Sequence, residues 1–421
     1  MNLRTVSKKF RQEVLVDSIG EYNSTAVIVC RFVVLCVKAF AGLCLSIFLG
    51  PISLVRPIEI WLMTTRLSKI SFFIQDLEMG LREIQCRNSN RKIWVIALYP
   101  IDFPNKYLAQ QYRRHVTLLG KNQKWIGEAI RFVAPVFRIQ RKRVNNRSSN
   151  KFEIWNSGSP TLGFNSDEIE RGEKIESNLN LCQEFICFAI ASKLYRSHVD
   201  VTQVAISESE RQDLITTIPD LSNYLALFRE LSKNNLSVLR MGIREDTPLP
   251  AGVGHDVVDY AFLNRSEFGD VWLASRCLYF STAGAGAWWL GAIFGKRTVC
   301  SDSYSLRGTS GANDLFIPQL AKFEQGSELA SFSWMAANDE WAFDQNKLKR
   351  EYSIIKNTPQ QIVDVNFEML ARLSGNWVET DEDIDLQKRF RRCQDLFRPA
   401  DRSPARIGAK FLREHQHLLP V

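Results

Sequence analysis

Residues 277–300 read CLYFSTAGAGAWWLGAIFGKRTVC, and the order of residue types in this stretch decides the fold class. Cys277 to Phe280 has the short apolar run of a buried strand, Ser281 to Gly286 is a turn of small residues, Ala287 to Phe294 reads as a helix, and Arg297 to Cys300 begins another strand. A strand–turn–helix–strand unit this short belongs to a parallel sheet covered by helices. Such sheets bind ligands at the carboxyl ends of their strands. Ser281 and Thr282 offer hydroxyl groups there, Gly284 and Gly286 allow close backbone approach and positive φ, and the helix start offers a positive dipole end. The turn is therefore a candidate phosphate cradle, with an ordinary Ala-packed turn as the plain alternative. It matches neither G-x-G-x-x-G nor G-x-x-x-x-G-K-[ST], so it is neither a dinucleotide fingerprint nor a P-loop.

The flanks extend the pattern. Glu184 to Ile190 and Ser237 to Met241 read as strands, Pro219 to Leu231 as a helix between them, and Asp270 to Ala274 as the start of another. Arg240, His255, Asp259, Arg265, Ser266 and Asp270 fall at strand ends or loops on the expected ligand rim. An Arg fork there can hold a diphosphate and an acid can accept sugar hydroxyls, although singly each is more often a surface ion pair. Upstream, Ile93 to Tyr99 reads as a strand and Asn105 to Leu119 as a helix stopped by Gly120. Residues 142–180, rich in Asn, Ser, Gly and Glu, read as linker and surface loop, and 358–412 as a helical segment with no strand signal.

The 421 residues carry 54 Lys+Arg and 46 Asp+Glu, a net +8, with 45% hydrophobic and 24% charged residues. This is globular usage for two to four domains of roughly 100–200 residues, and it excludes collagen, coiled coil, disordered and polytopic membrane chains. The nine cysteines are scattered with no C-x-x-C pair, which suits a reducing compartment and small-hydrophobe packing better than a disulfide framework or zinc site. His115, His198, His415 and His417 form no His-x-x-x-His pair, and no Gly-x-Ser-x-Gly elbow occurs. No metal and no cofactor is expected.

Charge is uneven: residues 1–150 hold 24 Lys+Arg against 9 Asp+Glu, and the rest hold 30 against 37. A basic half points to an anionic partner, with solvated helix faces as the bland reading. Residues 25–49, TAVIVCRFVVLCVKAFAGLCLSIFL, make an apolar run interrupted by Arg31 and Lys38, which are seven apart and share a helix face. An interfacial anchor, a single span and a buried core helix all remain open for it. It starts too late and runs too long for a signal peptide. Six cations and no acid between Arg131 and Arg147 favour the cytoplasmic face of a membrane over nucleic acid, since no aromatic platform accompanies them.

Several of these motifs, taken as a series, resemble a family of bacterial glycosyltransferases of GT-B-like architecture and surface-polysaccharide type. The series comprises Val238–Gly242, Asp256–Ala261, Arg265–Ser266, Asp270, Phe280 with the turn after it, Asn313–Pro318, Thr358–Ile362, Glu368–Leu370 and Leu386–Phe390. Arg56–Pro57, Arg66 and Asn105–Lys106 extend it weakly into the N-terminal half, so that it covers roughly 50–395. The chain departs from the family pattern at Arg66–Lys69, Ala189–Ala191 and Ile218–Pro219, where the family has other polar or cationic residues.

The resemblance implies two Rossmann-like lobes with parallel sheets. A nucleotide-sugar donor would be bound by the second lobe without metal. A glycan or lipid-linked acceptor would be met by the first, with Arg66, Asn105 and Lys106 on the acceptor side. The expected division is a membrane-associated segment at 1–60, an acceptor-side lobe at 61–180, a donor-binding lobe at 181–357 and a helical segment at 358–421. No residue is assigned as the catalytic base, for which Asp102 and His198 qualify by position only. The departures leave open a non-catalytic protein that keeps the fold for binding. A weaker alternative is a peripheral membrane protein whose basic half is its whole function.

Overall fold

The computed structural model describes residues 33, 36–37, 40, 44, 58–64, 70–87, 92–98, 102–123, 126, 129–130, 140–142, 150–191, 218–242, 248–263, 265–339 and 350–420. The chain divides into two compact units. One holds residues 1–66, 87–103 and 109–144, and the other holds 67–86, 104–108 and 145–421. Both contain parallel sheets, so the expected α/β class is the one observed.

The first unit is built on a four-stranded parallel sheet of β1 (Ile58–Thr64), β2 (Lys92–Leu98), β3 (Thr117–Leu119) and β4 (Gln140–Lys142), in the order β3-β2-β1-β4. Ile60, Leu62, Ile96 and Ile130 form its core. β3 corrects the expected long helix over 105–119. The helix spans only Lys106–Tyr112, and Val116 and Leu118 are buried at strand spacing. An apolar run this short satisfies both periods, and pairing to β2 decides for the strand.

The second unit carries a seven-stranded parallel sheet of β5 (Phe185–Ile190), β6 (Ser237–Met241), β7 (Val257–Val258), β8 (Tyr279–Ala283), β9 (Arg297–Ser303), β10 (Leu315–Pro318) and, after an antiparallel pair β11 (Leu320–Phe323) and β12 (Tyr352–Ile355), β13 (Arg406–Ile407). Its order is β13-β10-β9-β8-β5-β6-β7. β5 and β8 are buried almost throughout, as a central parallel strand covered on both faces should be. The core runs from Ile186 and Phe188 through Leu227, Phe228 and Val238 to Val299, Phe316, Met369 and Phe390.

The helices that matter to the site are α1 (Ile70–Cys86), α2 (Lys106–Tyr112), α3 (Lys151–Ser157), α4 (Ser166–Asn178), α5 (Leu225–Lys233), α6 (Glu267–Arg276), α7 (Trp289–Ala292), α8 (Phe332–Ala337) and α9 (Pro359–Leu373). α3 and α4 correct the linker reading of 142–180. α4 starts with a reciprocal capping box between Asn165 and Glu168, so the polar residues that suggested a loop are a helix start. Its Gly172 lies where a Cβ would come 2.1 Å from the Trp272 ring, so a bare backbone lets α4 rest on α6. β13 corrects the reading of 358–412 as a mostly helical segment with no strand. A two-residue strand leaves no periodic signal.

A buried polar knot fixes the end of β9. Asp302, at φ 49°, accepts from Tyr224 Oη (2.8 Å) and from the Asn357 backbone N–H (2.7 Å), while Asn357 Nδ2 donates to Pro318 O (2.9 Å). The Asp302 backbone N–H in turn donates to Asn357 Oδ1 (2.5 Å), so Asn357→Ala leaves the buried Asp302 amide and the Pro318 carbonyl without these partners, and is expected to cost about 2–4 kcal/mol in urea unfolding.

Candidate functional site

The carboxyl ends of β5, β6, β8 and β9 open into a cavity of about 600 Å³. Ala191, Gly242, Gly284 and Ser303 mark those strand ends in its wall, and α1 contributes Ser71 and Gln75. Volume and position are those of a small-molecule site in an open α/β sheet.

The small-residue turn forms one wall. Gly284 has φ +62°, and a Cβ there would come 2.5 Å from Tyr304 Oη, so only glycine fits. A Cβ on Gly286 would come 2.9 Å from the Ser71 side chain. The expected helix over 287–294 is corrected to a 3₁₀ turn at Gly286–Trp288 and the four-residue α7. So short a helix has little dipole, and any anion binding falls to side chains and the bare turn.

Charge reaches the cavity from three cations. Arg265 lies bidentate on Asp270, with Nη2 2.6 Å from Oδ2 and Nε 3.1 Å from Oδ1. Lys151, from the first turn of α3, stands 3.5 Å from Asp401 Oδ1. Arg307 pairs with Asp339 and lies 3.7 Å from the same Asp401 oxygen. Burial holds the Lys151 ammonium below its ordinary pKa, partly offset by Asp401. Trp288 and Trp289 stack at 4.3 Å beside these groups, with Phe152 and Tyr304 also in the wall. Cations beside flat aromatic faces suit a ligand that joins phosphates to a ring.

The Asp270 carboxyl is pushed up to about 6, chiefly by burial and against the pull of Arg265. A folded-state value above the ordinary 3.8 means that the folded chain holds the proton more tightly, so this group's contribution to stability is full near pH 4 and lost as pH rises to about 6. The buried Asp314, also pushed up to about 6, acts in the same window. Asp270→Asn is expected to narrow its stability difference from wild type by on the order of 3 kcal/mol between pH 4 and pH 6.5, read as urea midpoints across that range.

Of the residues expected from sequence, Arg265, Asp270, Gly284 and Gly286 line the cavity together. The others lie elsewhere. Arg240 is buried on Asp259 (3.0 Å), which also accepts from Leu249 N (2.8 Å), so this pair ties β6 to a loop. Ser266 caps α6 through Gly269 N, and Ser281 and Thr282 are buried within β8, where Thr282 Oγ1 donates to Ala285 O. His255 is exposed and contacts Asp256 at 2.6 Å. Asn105 is buried, donating to Glu267 O (2.9 Å), and the Lys106 backbone N–H donates to the Glu267 carboxylate. Asp102 is exposed on Lys121. Arg66 and His198 lie outside the described residues.

Sequence reading missed Lys151, Arg307 and Asp401. Lys151 heads a stretch whose Ile154 and Trp155 are buried, and that apolar spacing is the one signal that could have lifted it from the linker. Among the described residues, no cluster of three His, Cys, Asp or Glu could hold a metal ion.

No protein-family model matches the chain, and no curated protein matches it. Among solved structures it is similar to a glycosyl transferase family 9 protein from Veillonella parvula, with 13% identity over 57% of this chain and 80% of that one and a TM-score of 0.34. It is similar to the E. coli heptosyltransferase WaaC with ADP-2-deoxy-2-fluoro heptose, with 8% identity, 57% and 88% coverage and a TM-score of 0.28. A third is the dodecameric iron-containing heptosyltransferase TibC in complex with ADP-D-beta-D-heptose, with 14% identity, 59% coverage of each chain and a TM-score of 0.27.

Proposed function

We propose that the chain is a glycosyltransferase that takes a sugar from a nucleotide-sugar donor held in the second unit. The observation that carries this is the cavity at the strand carboxyl ends, in which Lys151, Arg265 and Arg307 share a wall with the glycine turn and the Trp288–Trp289 stack. In this reading the diphosphate lies on the glycine turn, with Arg265 and Lys151 neutralising charge on the departing nucleoside diphosphate, which is worth several kcal/mol of barrier. The acceptor is a glycan or lipid-linked sugar of surface-polysaccharide synthesis, met by the first unit. Nucleotide-sugar turnover by the full chain with a glycolipid extract tests this, and binding without turnover by any donor overturns it.

One observation favours a second reading, a binding protein on the same fold. The acids in the cavity wall, Asp270 and Asp401, are both held by cations, and Asp102, one of the two expected bases, is not among the wall residues. Donor binding with no transfer selects this reading.

The membrane face of the proposal rests on residues 25–49. Five of them are described, and Val33, Cys36, Val37, Phe40 and Cys44 are helical, exposed and spaced along one helix face. An apolar stripe of this kind suits docking at the cytoplasmic membrane surface. No helix among the described residues is long and apolar enough to cross a membrane. Phe40→Asp with Val37→Asp is expected to weaken binding to anionic vesicles at least tenfold in flotation assays.

A further inference from the structure

At the other end of the same sheet lies a second cavity, of about 250 Å³. Arg297, Leu315 and Arg406 are the first residues of β9, β10 and β13, so this cavity opens at the amino ends of the strands, away from the site above. Arg372, from the last turn of α9, Gly375 and Trp377 complete its wall with Asn313. None of the residues lining it carries a carboxylate.

The donors there exceed what the protein satisfies. Among the described residues the Arg297 guanidinium has no ion pair or hydrogen bond. Arg406 is held at Nη2 by Glu379, but its Nε is buried without an acceptor, as is the indole Nε1 of Trp377. Arg372 rests on Glu368 (2.8 Å) and stacks its guanidinium over the Trp377 ring at 4.7 Å, which holds the indole in place. Glu368 thus holds Arg372, and Glu379 holds Arg406. Arg391 adds a further positive charge nearby. It donates to the carbonyls of Pro404 and Ala405 (2.7 and 2.8 Å), and burial and the charge of Arg406 both lower its pKa.

Buried donors without acceptors cost stability, and an acceptor-rich anion would relieve them. We propose that this cavity binds a phosphoryl group, independently of the sugar-donor site. Three guanidinium groups, an indole N–H and an amide present more donors than a carboxylate's two oxygens can use. The three terminal oxygens of a phosphoryl dianion use them fully, and guanidinium forks match that geometry. The group belongs either to a small phosphorylated molecule or to a phospholipid headgroup, and the two arms of the test separate these.

The test is calorimetric titration of the full chain with inorganic pyrophosphate, alongside sedimentation with phosphatidylglycerol vesicles. Arg297→Gln and Trp377→Phe are chosen because, among the described residues, Arg297 has no ion pair or hydrogen bond to lose, only a coulombic interaction with the buried Asp314, and phenylalanine keeps the ring under Arg372. Each is expected to weaken one binding event, roughly tenfold or more for Arg297→Gln. Lys151→Gln, in the other cavity, leaves that event unchanged. A loss confined to pyrophosphate assigns a small ligand, and a loss confined to vesicles assigns a headgroup. The proposal is overturned if neither probe binds, if both variants bind as wild type does, or if Lys151→Gln alone removes the binding.

Discussion

Lys151→Ala is expected to weaken binding of a nucleoside diphosphate by 10- to 100-fold while leaving the protein folded. A hydrogen bond to a charged group is worth about 1.5–3 kcal/mol, which corresponds to that range. The fold survives because Asp401, the partner of Lys151, keeps Arg398 at 2.6 Å and Arg307 at 3.7 Å. The variant therefore removes a charge from the cavity without stranding a buried carboxylate. Isothermal titration with several nucleoside diphosphates, with circular dichroism as the fold control, checks both parts. An affinity unchanged within twofold would place the phosphates elsewhere.

Gly284→Val acts through shape. At φ +62° a β-branched residue is strained, and its Cβ would meet the Tyr304 ring and hydroxyl at 2.5–2.8 Å. Left-handed strain and overpacking together are expected to cost on the order of 3 kcal/mol. Any relaxation that pushes Tyr304 aside moves it within the cavity it lines. Both a lower urea midpoint and lost nucleotide affinity are expected. Gly163→Ala is the control, since no atom lies within 4 Å of a Cβ there and its φ is ordinary. Equal losses in the two variants would sink the account of the turn.

The alternation of elements in the second unit was legible because its central strands are buried on both faces and so appear as unbroken apolar runs, as in Phe185–Ile190 and Tyr279–Ala283. α4 was not legible, because a helix of sequence SDEIERGEKIESN has almost no apolar stripe and signals itself only through its cap. The site was half legible for a related reason. Residues in the turn and at the start of α6 reach the cavity through local geometry, which spacing encodes. Lys151, Arg307 and Asp401 reach it through packing between segments up to 250 positions apart, which no local pattern records. The same limit explains Arg240 and Asp259. A rim position suggests ligand binding, but whether an arginine faces a ligand or a neighbouring acid is settled by the loop folded over it.

The proposed function reduces to one physical statement: in the larger cavity of the second unit, a diphosphate would lie between the glycine turn and two or three cations. A thermal melt of the wild-type chain with and without ADP, UDP, GDP and CDP tests it most directly. A ligand that binds only the folded state adds about 2.7 kcal/mol at a hundred times its Kd. The account predicts a saturable rise in Tm with at least one of the four, reduced in Lys151→Ala. Melting curves that superimpose with and without each nucleotide, at millimolar concentration, would contradict it.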